Sequence, residues 1–176
     1  MPGYVIHLAT ACEYMRKHPN EIINKMEFFE GCIAPDLTTK ENKKVTHYGE
    51  GSNTIQLRVY LKNNKIETDY DKGYFLHLVT DYIFYNKLLK CISKQIYNDY
   101  DILNRYLIKK YNVELLDKIK NSVFYISGDT KILSKELAEK TIEICSDMLL
   151  KDIENEILNC EYTEKWEKIR RLIRLE

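Results

Sequence analysis

Apolar residues recur along this chain at intervals of three and four, the spacing of helices that bury one face. Ile6, Leu8, Ala11 and Met15 predict a first helix over residues 3–17. It stops before His18-Pro19, because the residue ahead of a proline disfavours helical geometry. Asn20 has the side chain of a helix N-cap and predicts a second helix through Phe29, closed near Gly31. From Cys32 to Asn53 the periodicity fails, and Pro35, paired threonines and Gly49-Glu50-Gly51 mark a long loop. Residues 54–62 fit a strand or a short helix, and the helical surroundings favour the helix. Asp69 or Asp71 caps a long central helix expected to reach Tyr97, and Asp99 or Asp101 starts another that ends near Tyr111-Asn112. A further helix is expected over 114–126, before Gly128-Asp129-Thr130 turns the chain. Ser134 caps an amphipathic helix carried by Leu137, Ile142, Ile144, Met148, Leu149 and Ile153 to about Leu158. From Thr163 onward, Trp166, Ile169, Leu172 and Ile173 read as one last helix. The expected fold is all-α: one domain over residues 1–176, of about seven helices, with a long loop after the second.

Composition supports that fold class. Only three prolines and six glycines occur in 176 residues, and long stretches are rich in Leu, Ile, Lys and Glu. A chain of this size buries about 70% of its unfolded surface, enough for one substantial core. Its 27 basic and 27 acidic residues cancel. No overall field therefore draws it to nucleic acid or anionic membrane, and no specific nucleic-acid signal is present. No apolar run approaches the ~20 residues of a membrane span. The N-terminal Met1-Pro2-Gly3-Tyr4-Val5-Ile6 has neither the basic nor the apolar region of a secretory signal, so a cytoplasmic location is expected. Five cysteines at wide spacing, with no Cys-x-x-Cys, argue against both a disulfide framework and a zinc finger.

The chemistry lies elsewhere. His77 and Asp81 are four residues apart on the central helix, which puts an imidazole and a carboxylate on one face, a turn apart. A single rigid helix supplies two ligands to one divalent metal in this way. Of the other three histidines, His7 lies in the first helix and His47 in the loop that also carries Asp36. His7, Asp36, His47, His77 and Asp81 make an all-N/O donor set without thiolate, suited to a catalytic zinc or a similar ion. Each residue also has a structural reading. His77 and Asp81 could be a hydrogen-bonded core pair, Asp36 the cap of a turn, His47 a solvated loop residue and His7 helix packing. His18, at the end of the first helix, complements the helix dipole without any site. Lys165, Lys168, Arg170, Arg171 and Arg174 read as the solvated face of the last helix, with a weak phosphate or lipid contact as the alternative.

The order of these features resembles the zinc-dependent phospholipase C family, itself distantly similar to the single-strand-specific zinc nucleases. The features are His7 after Met1-Pro2, Pro35-Asp36 in the loop after the second helix, His47, then Gly73-Tyr74 with His77 and Asp81 on a long helix. The resemblance covers roughly residues 1–90. It implies that His7, Asp36, His47, His77 and Asp81 are metal ligands and that Asp36 also orients or deprotonates the attacking water. It further implies a metal-dependent hydrolase of phosphoesters, chiefly phosphodiesters. The family often places a His-Pro pair where Tyr85 and Asn86 stand, and no histidine follows His77. One or two ions are therefore implied, zinc foremost, with manganese or iron as other ions such donors accept. A phenol is a poor zinc ligand at neutral pH. The expectation is one tight ion on Asp36, His47, His77 and Asp81, with His7 a fifth ligand or the anchor of a weaker second site. Tyr48, Tyr74 and Tyr85 are secondary candidates for touching substrate. Two alternatives stay open: a metal-dependent nucleotide phosphohydrolase, and a non-enzymatic helical module with a degenerate or structural metal site.

Overall fold

Two helices that cross backbone to backbone organise the chain. In this computed structural model, which describes residues 3–51, 53–159 and 164–176, α2 (Lys25–Ile33) lies along α5 (Asp69–Ile83). A Cβ on Gly31 would stand 2.1 Å from the Tyr70 carbonyl oxygen, and one on Gly73 would stand 2.1 Å from that of Phe28. Only glycine permits so close an approach.

The remaining helices wrap this pair. Helix α1 (Tyr4–Lys17) packs on α2 and α5, and also on α6 (Gln95–Tyr111) and α7 (Lys135–Asp147). Helix α4 (Leu57–Asn63) sits against α5, α8 (Leu150–Asn159) and α9 (Glu164–Glu167). Between α2 and α4 the chain forms a 3₁₀ turn, Ala34–Asp36, and the one-turn α3 (Lys43–Thr46), which touch each other. The core includes the buried aromatics Tyr14, Phe28, Phe29, Phe75, Tyr82, Phe84 and Tyr85. The sheet is minimal: β1 (Cys91–Ile92) pairs in parallel with β2 (Ile173–Arg174), Cys91 beside Ile173 and Ile92 beside Arg174. The fold is all-α, and no helix among the described residues is long and apolar enough to cross a membrane.

Several expected boundaries move, each for a local reason. The second helix starts at Lys25, not after Asn20. Asn24 is the cap, accepting from the Glu27 amide at 3.2 Å, while Asn20 adopts a left-handed φ of 78°. The central helix is capped by Thr68 in a reciprocal pair with Asp71, but it does not reach Tyr97. It passes into a π-helical turn, Phe84–Leu88, and then into β1. Helix α6 accordingly starts at Gln95, and Asp99 serves another purpose: its carboxylate accepts from the amides of Lys131, Ile132 and Leu133 at 3.0, 2.6 and 2.8 Å. No helix fills 114–126. Val113, Leu116, Ile119 and Val123 are buried at helical spacing, yet short turns achieve it, ending in the 3₁₀ segment Lys120–Ser122.

The helix expected from Ser134 to Leu158 breaks at Met148, whose backbone is extended; the Leu150 amide then donates to the Tyr14 hydroxyl at 3.1 Å. The last helix shrinks to α9, and the chain beyond it is held extended. The Arg170 amide donates to Asn86 Oδ1 (2.8 Å) and the Leu175 amide to the Ile92 carbonyl (2.9 Å). Lys165 to Arg174 therefore do not form one helical face. The expected start of that helix at Thr163 and the fifth cysteine, Cys160, lie outside the described residues.

The crossing yields a stability prediction. Gly73→Ala forces a methyl against backbone that cannot swing aside, so it should lower stability by at least the upper end of ~1–3 kcal/mol. Gly51→Ala, whose added Cβ would meet only the Asn53 amide at 3.5 Å, should stay within ~0.5 kcal/mol. Urea unfolding followed by circular dichroism distinguishes them, and equal midpoints would refute the packing role of the crossing.

Candidate metal centre

Each donor arrives on an element with a reason to be where it is. Asp36 ends the 3₁₀ turn that Pro35 starts immediately after α2. His47 caps the C-terminus of α3; the Thr46 hydroxyl beside it donates to the Pro35 carbonyl at 2.9 Å, and Tyr74 donates to the Thr46 carbonyl at 2.7 Å. Those two bonds tie the α3 turn both to the segment bearing Asp36 and to α5. His77 and Asp81 share one face of α5, as their spacing requires. His7 enters from the first turns of α1 and lies flat on His77, with ring centroids 3.7 Å apart and planes 9° from parallel.

All five side chains converge and all five are buried. His47 Nε2 stands 3.2 Å from Asp36 Oδ1, 3.4 Å from Asp81 Oδ2 and 3.4 Å from His77 Nε2. His77 Nε2 is 3.7 Å from Asp81 Oδ2 and 3.9 Å from Asp36 Oδ2. A tetrahedral zinc with ligands at about 2.0–2.1 Å separates those ligands by about 3.3–3.4 Å from one another. The donor spacings, 3.2–3.9 Å, bracket that edge length. His7 Nε2 faces the other oxygen of Asp81, Oδ1, at 3.4 Å. Two overlapping groups result, Asp36–His47–His77 and His7–His77–Asp81, and each can hold a metal ion.

Hydrogen bonding bears on the choice between the metal reading and the structural one. His77 Nδ1 meets the Cys32 carbonyl at 2.7 Å, so Nδ1–H donates there and Nε2 keeps its lone pair for the centre. His47 Nδ1 lies 3.2 Å from the Lys43 carbonyl, with the same consequence. By contrast, both nitrogens of His7, both oxygens of Asp81 and Oδ2 of Asp36 are buried without a hydrogen-bond partner. Buried polar atoms are almost always satisfied, and two unsatisfied carboxylates are costly. A divalent cation satisfies both at once, which is how the donor set fits a metal.

The electrostatics agree. Burial favours the neutral form of Asp81, yet the three surrounding imidazoles outweigh it and hold the carboxyl well below its usual range. Asp36 is lowered in the same way, against burial, chiefly by His77 and His47. Burial pulls His47 down, but the Asp36 and Asp81 carboxylates more than offset it and raise it to about 9. Burial and the neighbouring His77 push His7 down to about 4.

Of the secondary candidates, Tyr48 and Tyr74 brace the site's walls. Tyr48 accepts from Asn64 at 2.9 Å, and Tyr74 is committed to the Thr46 carbonyl. Tyr85 is in neither donor group; its hydroxyl is buried and unpartnered. His18 ends α1, as expected, with Nε2 3.0 Å from the Ser146 carbonyl. Two neighbours of the centre were not legible in the sequence. Lys43 places Nζ 3.3 Å from Asp36 Oδ1. Tyr100, from α6, has a buried hydroxyl without a partner; burial, together with the nearby Asp81 and Asp36 charges, raises its pKa. Lys43 does precede His47 by one helical turn, but nothing local marks Tyr100. Comparison with protein-family models, curated proteins and solved structures gives no match, so the site's own geometry carries the functional reading.

Two predictions follow from the donor geometry. His77→Ala and Asp81→Ala should each cut bound metal to below about a tenth of wild type in elemental analysis. Their far-UV circular dichroism should be preserved, since Asp81→Ala also removes a costly buried charge. Wild-type metal content in both variants would refute the centre. The second concerns protons. Metal-free His47 is raised to about 9, so its stabilising contribution is complete below about pH 6.5 and fades as pH climbs through 9. His7, lowered to about 4, resists a proton that the unfolded chain takes up below about 6.5, so its contribution fades on acidification. The two together place a stability maximum of the metal-free protein near pH ~6.5. Metal loading near pH 7 should release about one proton, from His47, and that release should vanish above pH ~9. Calorimetry in buffers of different ionisation enthalpy reads the number directly.

Proposed function

We propose that the protein is a metal-dependent phosphoester hydrolase, acting chiefly on phosphodiesters, with one zinc-type ion held by Asp36, His47, His77 and Asp81. His7, whose Nε2 lies 3.4 Å from Asp81 Oδ1, is a fifth ligand or anchors a weaker second ion. The observation that supports this most strongly is the convergence of five buried N/O donor residues, three of which, His7, Asp36 and Asp81, carry buried polar atoms without a hydrogen-bond partner. Thiolates, which mark closed structural zinc sites, are absent from the set. Hydrolysis of a phosphodiester requires a water oxygen to bond to phosphorus while the ester P–O bond breaks. A divalent ion supplies the charge that offsets developing negative charge on the phosphoryl oxygens and lowers the pKa of water.

The chain's own residues fill the remaining roles. Asp36, ionised and with Oδ2 unpartnered, is placed to accept the proton that water gives up. The Cys32 and Lys43 carbonyls fix the tautomers of His77 and His47, so both present Nε2 to the centre. Lys43 Nζ, at the same carboxylate, adds a positive charge where an anionic ester would approach. A second reading is supported by one observation: the ligand side chains are essentially inaccessible to solvent, as in a structural site. Activity separates the two.

Protein purified without an affinity tag should carry about one equivalent of metal per chain and hydrolyse bis(4-nitrophenyl) phosphate. A chelator should abolish the turnover, and zinc or manganese should restore it. Chelator-resistant hydrolysis would point to another mechanism, whereas tight metal with no turnover on any phosphodiester would favour the structural site.

A further inference from the structure

Beside the candidate metal centre lies a cleft of about 1110 Å³, lined by Lys40, Lys43, Lys94, Arg171 and Arg174 and, among the described residues, by no acidic side chain. The chain as a whole is electrically neutral, so five cations on one concavity mark a localised field for anions. Part of the wall is aliphatic, including the buried Ile96 and half-buried Ile92 and Leu172, and a less polar wall strengthens the field. A second, independent feature points the same way. Tyr85 lines this cleft; its side chain is 98% buried, being 2% exposed, and its hydroxyl has no partner. An unpaired buried hydroxyl is costly, and a phosphoryl oxygen is an acceptor that would satisfy it.

The cleft is built onto the metal-bearing helix. Asp81 is followed one turn later by Tyr82 to Asn86, and this stretch holds the C-terminal segment. Tyr82 donates to the Lys168 carbonyl at 3.2 Å, and Asn86 Oδ1 accepts from the Arg170 amide at 2.8 Å. Pairing of β2 with β1 then sets Arg174 beside Ile92. Lys43 both lines the cleft and contacts Asp36 of the centre. A ligand with one anionic group at Lys43 would thus lie next to the metal, while its other end meets Arg171 and Arg174. Arginine suits that position, since its planar fork grips phosphate through two hydrogen bonds.

We infer that this cleft binds a second, non-scissile phosphoryl group of the substrate, and so selects soluble phosphoesters that carry more than one phosphate. That the ligand is a substrate rests on the hydrolase reading above; the anion site itself does not. Glucose 1,6-bisphosphate, glucose 6-phosphate and inorganic phosphate are suitable probes, titrated by calorimetry into the protein as purified and after metal is stripped. The bisphosphate should bind at least about tenfold more tightly than either monophosphate, in both forms. Arg171→Gln/Arg174→Gln should remove that advantage, and Tyr85→Phe should reduce it several-fold. Both arginines are exposed, so the double variant should keep wild-type circular dichroism and metal content. Equal affinity for the three probes, or a double variant that binds the bisphosphate as tightly as wild type, would overturn the inference. Arginine-dependent bisphosphate binding in a protein that holds no metal would uphold the anion site and refute the hydrolase. Metal-dependent turnover with arginine-independent binding would do the reverse.

Discussion

The contact on which the rest of the structure depends is the approach of α2 to α5 at Gly31 and Gly73. Neither residue bears chemistry, yet a side chain at either would collide with the opposing backbone. At that separation the Cys32 carbonyl, one residue past Gly31, reaches His77 Nδ1, one turn past Gly73. That bond sets the tautomer and orientation of the one histidine that belongs to both donor groups. The same approach delivers Asp36, three residues beyond the end of α2, opposite Asp81 near the end of α5. A wider crossing would leave the donors on separate walls.

The energetic consequence is a site that is unstable by itself. Three imidazoles and two carboxylates share a space closed to water, and the cost of removing each ionised carboxylate from solvent is several kcal/mol in real proteins. The imidazoles return part of it, as the depressed Asp81 and the raised His47 both indicate. They do not satisfy the oxygens' hydrogen-bonding capacity. Folding therefore invests packing energy, from the aromatic core around Phe28, Phe75 and Tyr82, in a constellation that a cation could complete. Such stored cost is characteristic of functional sites, where local rules are broken and the surrounding scaffold compensates.

How much of this was legible in sequence depends on range. Elements written locally were readable: α1 from its apolar spacing, α7 from the Ser134 cap, and the His77–Asp81 pair from a spacing of four. The five donors could be gathered as candidates because histidines are scarce here and lie near carboxylates in order. Their burial, and the unpartnered polar atoms of His7, Asp36 and Asp81, are tertiary facts. Long-range pairing overrode local propensity at the failures. Helix α5 yields to a π turn and to β1 because Ile92 pairs with a segment some eighty positions on. The stretch 114–126 satisfies a helical burial pattern with turns, since periodicity records which residues face inward and not how the backbone gets them there.

The last segment shows the same principle with a functional consequence. Read alone, Lys165 to Arg174 look like the wet face of a terminal helix. Folded, the chain beyond α9 is captured in extended form by three contacts, two of them from the stretch that follows Asp81. Extended backbone spreads its side chains over a greater length than a helix would, and Arg171 and Arg174, both exposed, line the cleft. Tyr85 lies at the meeting point of both halves of the design. It stands one helical turn beyond Asp81, lines the cleft, and has a buried hydroxyl without a partner. The donor groups that could hold an ion and the cationic cleft thus share one chain segment, since the stretch after Asp81 that continues α5 also anchors the C-terminal segment bearing Arg171 and Arg174.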